Sequence, residues 1–185
     1  MRRGFTLVEV LMSVAILAGL AAATAAAIGA SSKAFEVNLA SAETLQHGRN
    51  AMLRMAAELR TGTDHLPTTA AKQTTFAAGV IVSDTGVTFK DEGGRQITYS
   101  YDAASKTLTL KVDTATAAVL ARGVQSFSVR LVPFRSKDSI KTGGIFDQLS
   151  RATLTMTVSP VDAMADASNT LAMTQSITPR ARMWE

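Results

Sequence analysis

The sequence predicts an α+β protein in which one long N-terminal helix, apolar in its first half and amphipathic in its second, packs on an antiparallel β-sheet. Three observations predict it. Val10 to Ser32 is a run of 23 residues without a charged side chain. Residues 33–60 continue a helical pattern without proline. Beyond residue 80, short apolar alternations separated by turn residues replace that period.

Composition bounds the problem before any element is placed. With 185 residues, 46% hydrophobic and 18% charged, the chain suits about one globular domain and is neither a disordered tail nor a collagen. Cysteine is absent, which excludes disulfides, thiolate metal sites and a cysteine nucleophile and leaves the redox compartment open. The formal charge is +4, from 19 Lys+Arg against 15 Asp+Glu, and a chain beginning at Phe5 loses Arg2 and Arg3 to give 17 minus 15, or +2. That is too small for a nucleic-acid footprint on composition alone.

The first thirty residues set the class. At 1.5 Å of rise per residue, the 23-residue uncharged run is long enough to cross a hydrocarbon layer of roughly 30 Å. Arg2 and Arg3 precede it, whereas the far side begins with Ser31, Ser32, Lys33 and Glu36, whose two charges cancel. The positive-inside rule then puts the N-terminus in the cytoplasm and the remainder on the other side. A cleaved secretory signal is one alternative, since the small residues from Ala21 to Ala30 offer cut sites. Against it stand the length of the run and Glu9 at its cytoplasmic edge. A plain anchor is the other, yet it has no use for that acid, because an intramembrane carboxylate costs on the order of 2 to 3 kcal/mol and marks a function.

The stretch Arg3-Gly4-Phe5-Thr6-Leu7-Val8-Glu9-Val10-Leu11 resembles the N-terminal signature of type IV filament proteins: type IV pilins, their minor subunits, and the pseudopilins of type II secretion. The resemblance joins a basic leader, a glycine cut point, an aromatic first residue and a carboxylate at fixed spacing. It implies that prepilin peptidase cuts between Gly4 and Phe5, that Phe5 becomes an N-methylated first residue, and that the membrane helix is retained. Glycine offers the peptidase an unobstructed backbone, and Arg2 and Arg3 hold the bond in the cytoplasmic headgroup layer. Glu9 lies about one turn inside the helix, where its charge suits the N-terminal dipole. By resemblance, its partner is the terminal amine of Phe5 in a neighbouring subunit, which makes Glu9 a registry device for assembly. The alternative is that Glu9 caps its own helix. Ala15, Gly19, Ala23 and Ala27, with Ala18, Ala22, Ala26 and Ala30 beside them, recur every four residues and give surfaces on which helices approach closely.

From Lys33 to Arg60 one apolar stripe is made by Leu45, Met52, Met55 or Ala56, and Leu59, with Gly48 a weak breaker and Arg54 and Glu58 at the favourable four-residue spacing. Thr61 to Asp64, followed by Pro67, end the helix. The sheet needed to cover the stripe is read as strands at Val80–Val82, Val87–Phe89, Ile97–Tyr101, Leu108–Val112, Val124–Val132, Ala152–Val158 and Leu171–Ile177. The turns at Asp84-Thr85-Gly86, Asp91 to Gly94 and Asp102 to Lys106 make the first strands an antiparallel meander. Ile97, Tyr99 and Tyr101 share a face, as do Leu108, Leu110 and Val112, then Phe127, Val129 and Leu131, then Leu154, Met156 and Val158. Pro133–Gln148 and Pro160–Asn169 are expected as loops.

This layout is similar to the pilin-like fold, and more narrowly to J-type minor pseudopilins and large minor pilins. The similarity rests on Arg49 to Arg60, Ile97-Thr98-Tyr99-Ser100-Tyr101-Asp102, Leu120 to Phe127, and Thr178-Pro179-Arg180. The paired C-terminal cysteines of many major pilins are absent.

Enzymatic chemistry is hard to build from this chain. His47 in the helix and His65 in the turn after it have no nucleophile and acid arranged around them and read as surface histidines. The turn carboxylates, Asp84, Asp91, Glu92, Asp102, Asp113 and Asp138, follow no calcium-loop spacing, and Gly93-Gly94 and Gly143-Gly144 lack a phosphate-loop context. Arg130, Arg135, Lys137 and Lys141 with Phe134 are a modest basic stretch, read as a solvated loop rather than a polyanion site. No enzyme, cofactor or metal is expected, and nucleic acid is not an expected partner.

The resemblance implies a prepilin leader at 1–4, a transmembrane and assembly helix at 5–32, and a periplasmic globular domain at 33–185 that includes the amphipathic half-helix 33–60. The implied function is that of a minor pseudopilin near the tip of a type II secretion pseudopilus. It would be a single-pass inner-membrane protein partnered by prepilin peptidase and, in a hetero-oligomer, by other minor and major pilins or pseudopilins. A minor type IV pilin in pilus biogenesis, adhesion or DNA uptake is the alternative, and an ordinary exported or anchored binding domain is the second.

Overall fold

Helix α1 spans Leu7–Thr61. In the computed structural model, which describes residues 6–134, 149–159 and 170–180, the chain divides into two compact units, Met1–Ala40 and Ser41–Glu185, and α1 contributes to both. In the first unit Leu7, Val10, Leu11, Ile16, Leu17 and Leu20 of α1 all stand exposed.

In the second unit the stripe expected from the sequence is the buried one. Met52, Met55, Ala56 and Leu59 are at most 3% exposed, whereas Leu45 is only partly covered. Gly48 is buried inside the helix, and its role is contact rather than breaking. A Cβ there would stand 2.8 Å from Val158 Cγ2 and 3.3 Å from Met173 Cε, so the missing side chain is what lets the sheet lie on the helix. The Arg54 Nε–H donates to Glu58 Oε1 at 2.8 Å, as the spacing predicted.

After Thr61 the chain forms β1 (Thr63–Pro67), a strand where the sequence suggested only a turn, and then α2 (Ala70–Ala77), which buries Phe76. Seven strands were expected and seven are present, six in longer or shifted form, β2 (Val82–Asp84), β3 (Gly86–Lys90), β4 (Gln96–Asp102), β5 (Thr107–Val112), β7 (Val124–Pro133) and β8 (Leu149–Val158), and one, β9 (Leu171–Ile177), with the expected bounds. Strand β6 (Ala118–Arg122) is additional.

The strands do not make one meander. They form a five-stranded sheet in the order β1-β3-β4-β5-β6 and a four-stranded sheet in the order β2-β7-β8-β9, with antiparallel pairing at every ladder. Asp84-Thr85-Gly86 is therefore no hairpin turn: β2 pairs with β7 and β3 with β1 and β4, so the chain changes sheets there. Two local features fix that crossing. Asp84 is held by the segment before α2, and a Cβ on Gly86 would run into Tyr99 O and Thr68, so only glycine fits between them. The return crossing, from β6 to β7, passes through Gly123 at φ 71°, a left-handed conformation that glycine adopts without steric cost.

The predicted faces hold. Ile97 pairs with Val112, Tyr99 with Leu110 and Tyr101 with Leu108; Phe127 pairs with Met156 and Val129 with Leu154. These side chains and the α1 stripe form one apolar core. Within it the rings of His65 and Phe89 stack at 5.5 Å and those of Phe89 and Tyr99 at 6.1 Å. Of the loop expected at Pro133–Gln148, Pro133 instead ends β7, paired with Leu149 of β8, while residues 135–148 and 160–169 lie outside the described residues.

Candidate functional site

The residues singled out from the sequence cluster at the start of α1. Of these, Arg2, Arg3, Gly4 and Phe5 lie outside the described residues, and Glu9 lies within them. Thr6 precedes the helix and its carbonyl accepts the first helical bond, from Val10 N–H at 3.2 Å. Glu9 Oε2 accepts from the Thr6 N–H and from the Thr6 hydroxyl, both at 3.0 Å. In return, the Glu9 N–H donates to Thr6 Oγ1 at 3.3 Å. This is a reciprocal capping box, in which two N–H groups that a helix start leaves without partners are satisfied by each other's side chains. The Thr6-x-x-Glu9 spacing was a readable signal for it, and the sequence reading gave Thr6 no role. In the single chain Glu9 thus caps its own helix.

Further along the apolar stretch, hydroxyls are satisfied within the helix. Ser13 Oγ donates to Glu9 O at 2.8 Å, and Thr24 Oγ1 reaches Leu20 O at 3.0 Å and Ala21 O at 2.9 Å. Such back-bonding lets a polar side chain sit in an apolar layer without an orphan donor. Beyond the adjoining residues and the backbone of its own helix turn, no described atom lies within 4 Å of the place where a Cβ on Gly19 would be, so the small-residue stripe is open at that position. Helix α1 is long and apolar enough to cross a membrane; residues 7–40 alone would span about 50 Å at 1.5 Å per residue.

Three polar arrangements in the second unit have structural partners. Asp84, with its side chain 1% exposed, accepts from Thr68 Oγ1 at 3.0 Å, Thr69 N–H at 2.8 Å, Thr69 Oγ1 at 2.9 Å, Lys72 Nζ at 3.0 Å and Thr85 N–H at 2.9 Å. Burial pushes its pKa up, but the hydrogen bonds from Thr69, Lys72 and Thr85 outweigh burial and hold the carboxyl at about 2 against an ordinary 3.8. The Tyr99 O–H donates to Glu58 Oε2 at 2.5 Å, tying β4 to α1. Burial first, then the neighbouring carboxylate, pushes that phenol well above its ordinary range. Finally, the Arg180 N–H donates to Arg60 O at 2.7 Å, which joins two of the segments that carried the pseudopilin resemblance.

The histidines separate. His47 is exposed and 3.5 Å from Glu43, one turn earlier on α1. His65 is not a surface residue as expected: it is 1% exposed, with Nε2 3.0 Å from Leu59 O. The β1 strand, unread in the sequence, carries it inward. Among the described residues no group of three or more His, Asp or Glu could hold a metal ion.

Residues 1–25 match the family model for the prokaryotic N-terminal methylation motif. No curated protein and no solved structure matches the chain. The matched segment contains the basic leader, Gly4, Phe5 and Glu9 and runs into the apolar part of α1. With the helix and the α+β arrangement, the match supports a type IV pilin-like protein, pilin or pseudopilin, whose prepilin N-terminus implies processing by prepilin peptidase and assembly with other pilins.

Proposed function

We propose that the chain is a minor pseudopilin, a structural and assembly subunit of a type II secretion pseudopilus placed near the filament tip. The observation that carries this reading is the methylation-motif match over residues 1–25, continuous with a helix on which Leu7, Val10, Leu11, Ile16, Leu17 and Leu20 are exposed. Prepilin peptidase cuts between Gly4 and Phe5, Arg2 and Arg3 keep that bond on the cytoplasmic side, and Phe5 is N-methylated. The chain is then a single-pass inner-membrane protein with residues 33–185 in the periplasm, until α1 moves into the filament among other subunits.

On this reading Glu9 has two successive partners. In the lone chain the Thr6 N–H and hydroxyl occupy it. In the assembly the ammonium of a neighbouring Phe5 takes over, since a charged donor in a low-dielectric layer binds a carboxylate more strongly than a hydroxyl does. A minor type IV pilin in pilus biogenesis, adhesion or DNA uptake has the same N-terminal chemistry. Deleting the gene and scoring exoprotein secretion beside twitching and transformation separates them: loss of secretion alone supports the pseudopilus, and loss of twitching or transformation with intact secretion contradicts it.

A further inference from the structure

Four strands form sheet edges among the described residues, and three carry the features by which sheets avoid pairing with foreign strands. Strand β1 holds Asp64 and Pro67, β2 has three residues, and β6 has five residues ending in Arg122. Strand β9 differs: its seven residues, Leu-Ala-Met-Thr-Gln-Ser-Ile, include no charge and no proline, and it pairs with β8 on one side.

Beside this edge, α1 and β9 leave an open groove of about 310 Å³ lined by Arg49, Met52, Leu53, Met173, Thr174 and Gln175. Met52 is buried, but Leu53, the next residue round the helix, is 55% exposed. The apolar face of α1 therefore extends past the buried stripe into the groove that it shares with β9, whose outer edge has no paired strand among the described residues. Arg49 stands at its rim, exposed and without an ion pair among the described residues.

We propose that β9 accepts an extended segment of a different protein chain as a fifth strand, with an apolar side chain over Met52, Leu53 and Met173 and a carboxylate, two residues away on the same face, on Arg49. Backbone pairing along β9 supplies affinity, and the two groove-facing side chains supply selectivity. A second copy of β9 is the poorer occupant, because its sequence brings no carboxylate. The inference rests on this surface alone and is independent of how the N-terminus is processed.

The test uses the full chain in detergent micelles and a library of capped nonapeptides with threonine at alternate positions and Val, Leu, Asp or Lys randomised at the others. The expected result is enrichment of peptides with an apolar residue and an aspartate two positions apart. Arg49→Glu should invert the preference from aspartate to lysine, with at least about a tenfold change in affinity for the selected peptide. Leu53→Asp should weaken apolar selection, N-methylation of alternate peptide amides should abolish binding, and amide exchange across residues 171–177 should slow on binding. The proposal is overturned if no peptide binds, if Arg49→Glu leaves the preference unchanged, if N-methylated peptides bind equally well, or if the chain instead self-associates through β9.

Discussion

Thr6 and Glu9 hold each other reciprocally: the Glu9 carboxylate takes both the N–H and the hydroxyl of Thr6 at 3.0 Å, and the Glu9 N–H returns a bond to Thr6 Oγ1 at 3.3 Å. The carboxylate proposed as a link between subunits is thus already engaged in the lone chain, so on that proposal an incoming ammonium would have to displace two neutral donors of Thr6. The box also fixes the carboxylate at the helix start before assembly.

That relationship separates two variants. Thr6→Val removes the hydroxyl from the box and should fray the first turn at a cost of about 1 kcal/mol, leaving filament incorporation intact. Glu9→Val should leave cleavage unaffected and abolish incorporation. Immunoblotting for the shortened chain and for its presence in sheared filaments checks both; equal incorporation of Glu9→Val and wild type refutes the registry role.

The Tyr99–Glu58 bond, 2.5 Å from β4 to α1, predicts the effect of Tyr99→Phe. The ring packing on Phe89 survives, but the Glu58 carboxylate keeps only Arg54 as a side-chain partner among the described residues. A loss of about 1 to 2 kcal/mol follows, read as a fall of roughly 2 to 8 °C in melting temperature.

Asp84 predicts an acid-sensitive contribution. Its folded pKa of about 2 lies below the ordinary 3.8, so the ionised, hydrogen-bonded form stabilises the fold above pH 3.8. That stabilisation is lost as pH falls from about 4 through 2. The difference corresponds to roughly 2 kcal/mol. Asp84→Asn should be less stable at pH 7, and the gap from wild type should close toward pH 2 in urea titrations.

Gly48 predicts a steric threshold on α1. Gly48→Ala gains helix propensity of about 1 kcal/mol but places its Cβ 2.8 Å from the buried Val158, so the two effects oppose each other. Gly48→Val adds two methyls into the same contact and should cost about 1 to 3 kcal/mol, seen as a lowered urea midpoint with an unchanged slope.

Much of the fold was legible because burial follows simple periods. The 3.6-residue stripe through Met52, Met55 and Leu59 and the two-residue alternations in β4, β5, β7 and β8 each name their buried face directly. What escaped reading depends on contacts between distant residues. The division into two sheets turns on Asp84 reaching Thr68 and Thr69 and on Gly86 passing under Tyr99, and no local pattern encodes either. β1 was hidden by Asp64 and Pro67, which look like a turn, and with it the burial of His65. At the candidate site the motif and Glu9 were legible. The capping partner was present in the sequence too, three residues earlier.

The central claim is that the apolar start of α1 stays on the finished protein and serves assembly. Mass spectrometry of the N-terminal peptide from membrane and filament fractions tests it most directly. The expected result is a chain that begins at N-methylated Phe5 and retains residues 5–32; a chain beginning near Ser31, with the apolar run removed, contradicts the proposed assembly role.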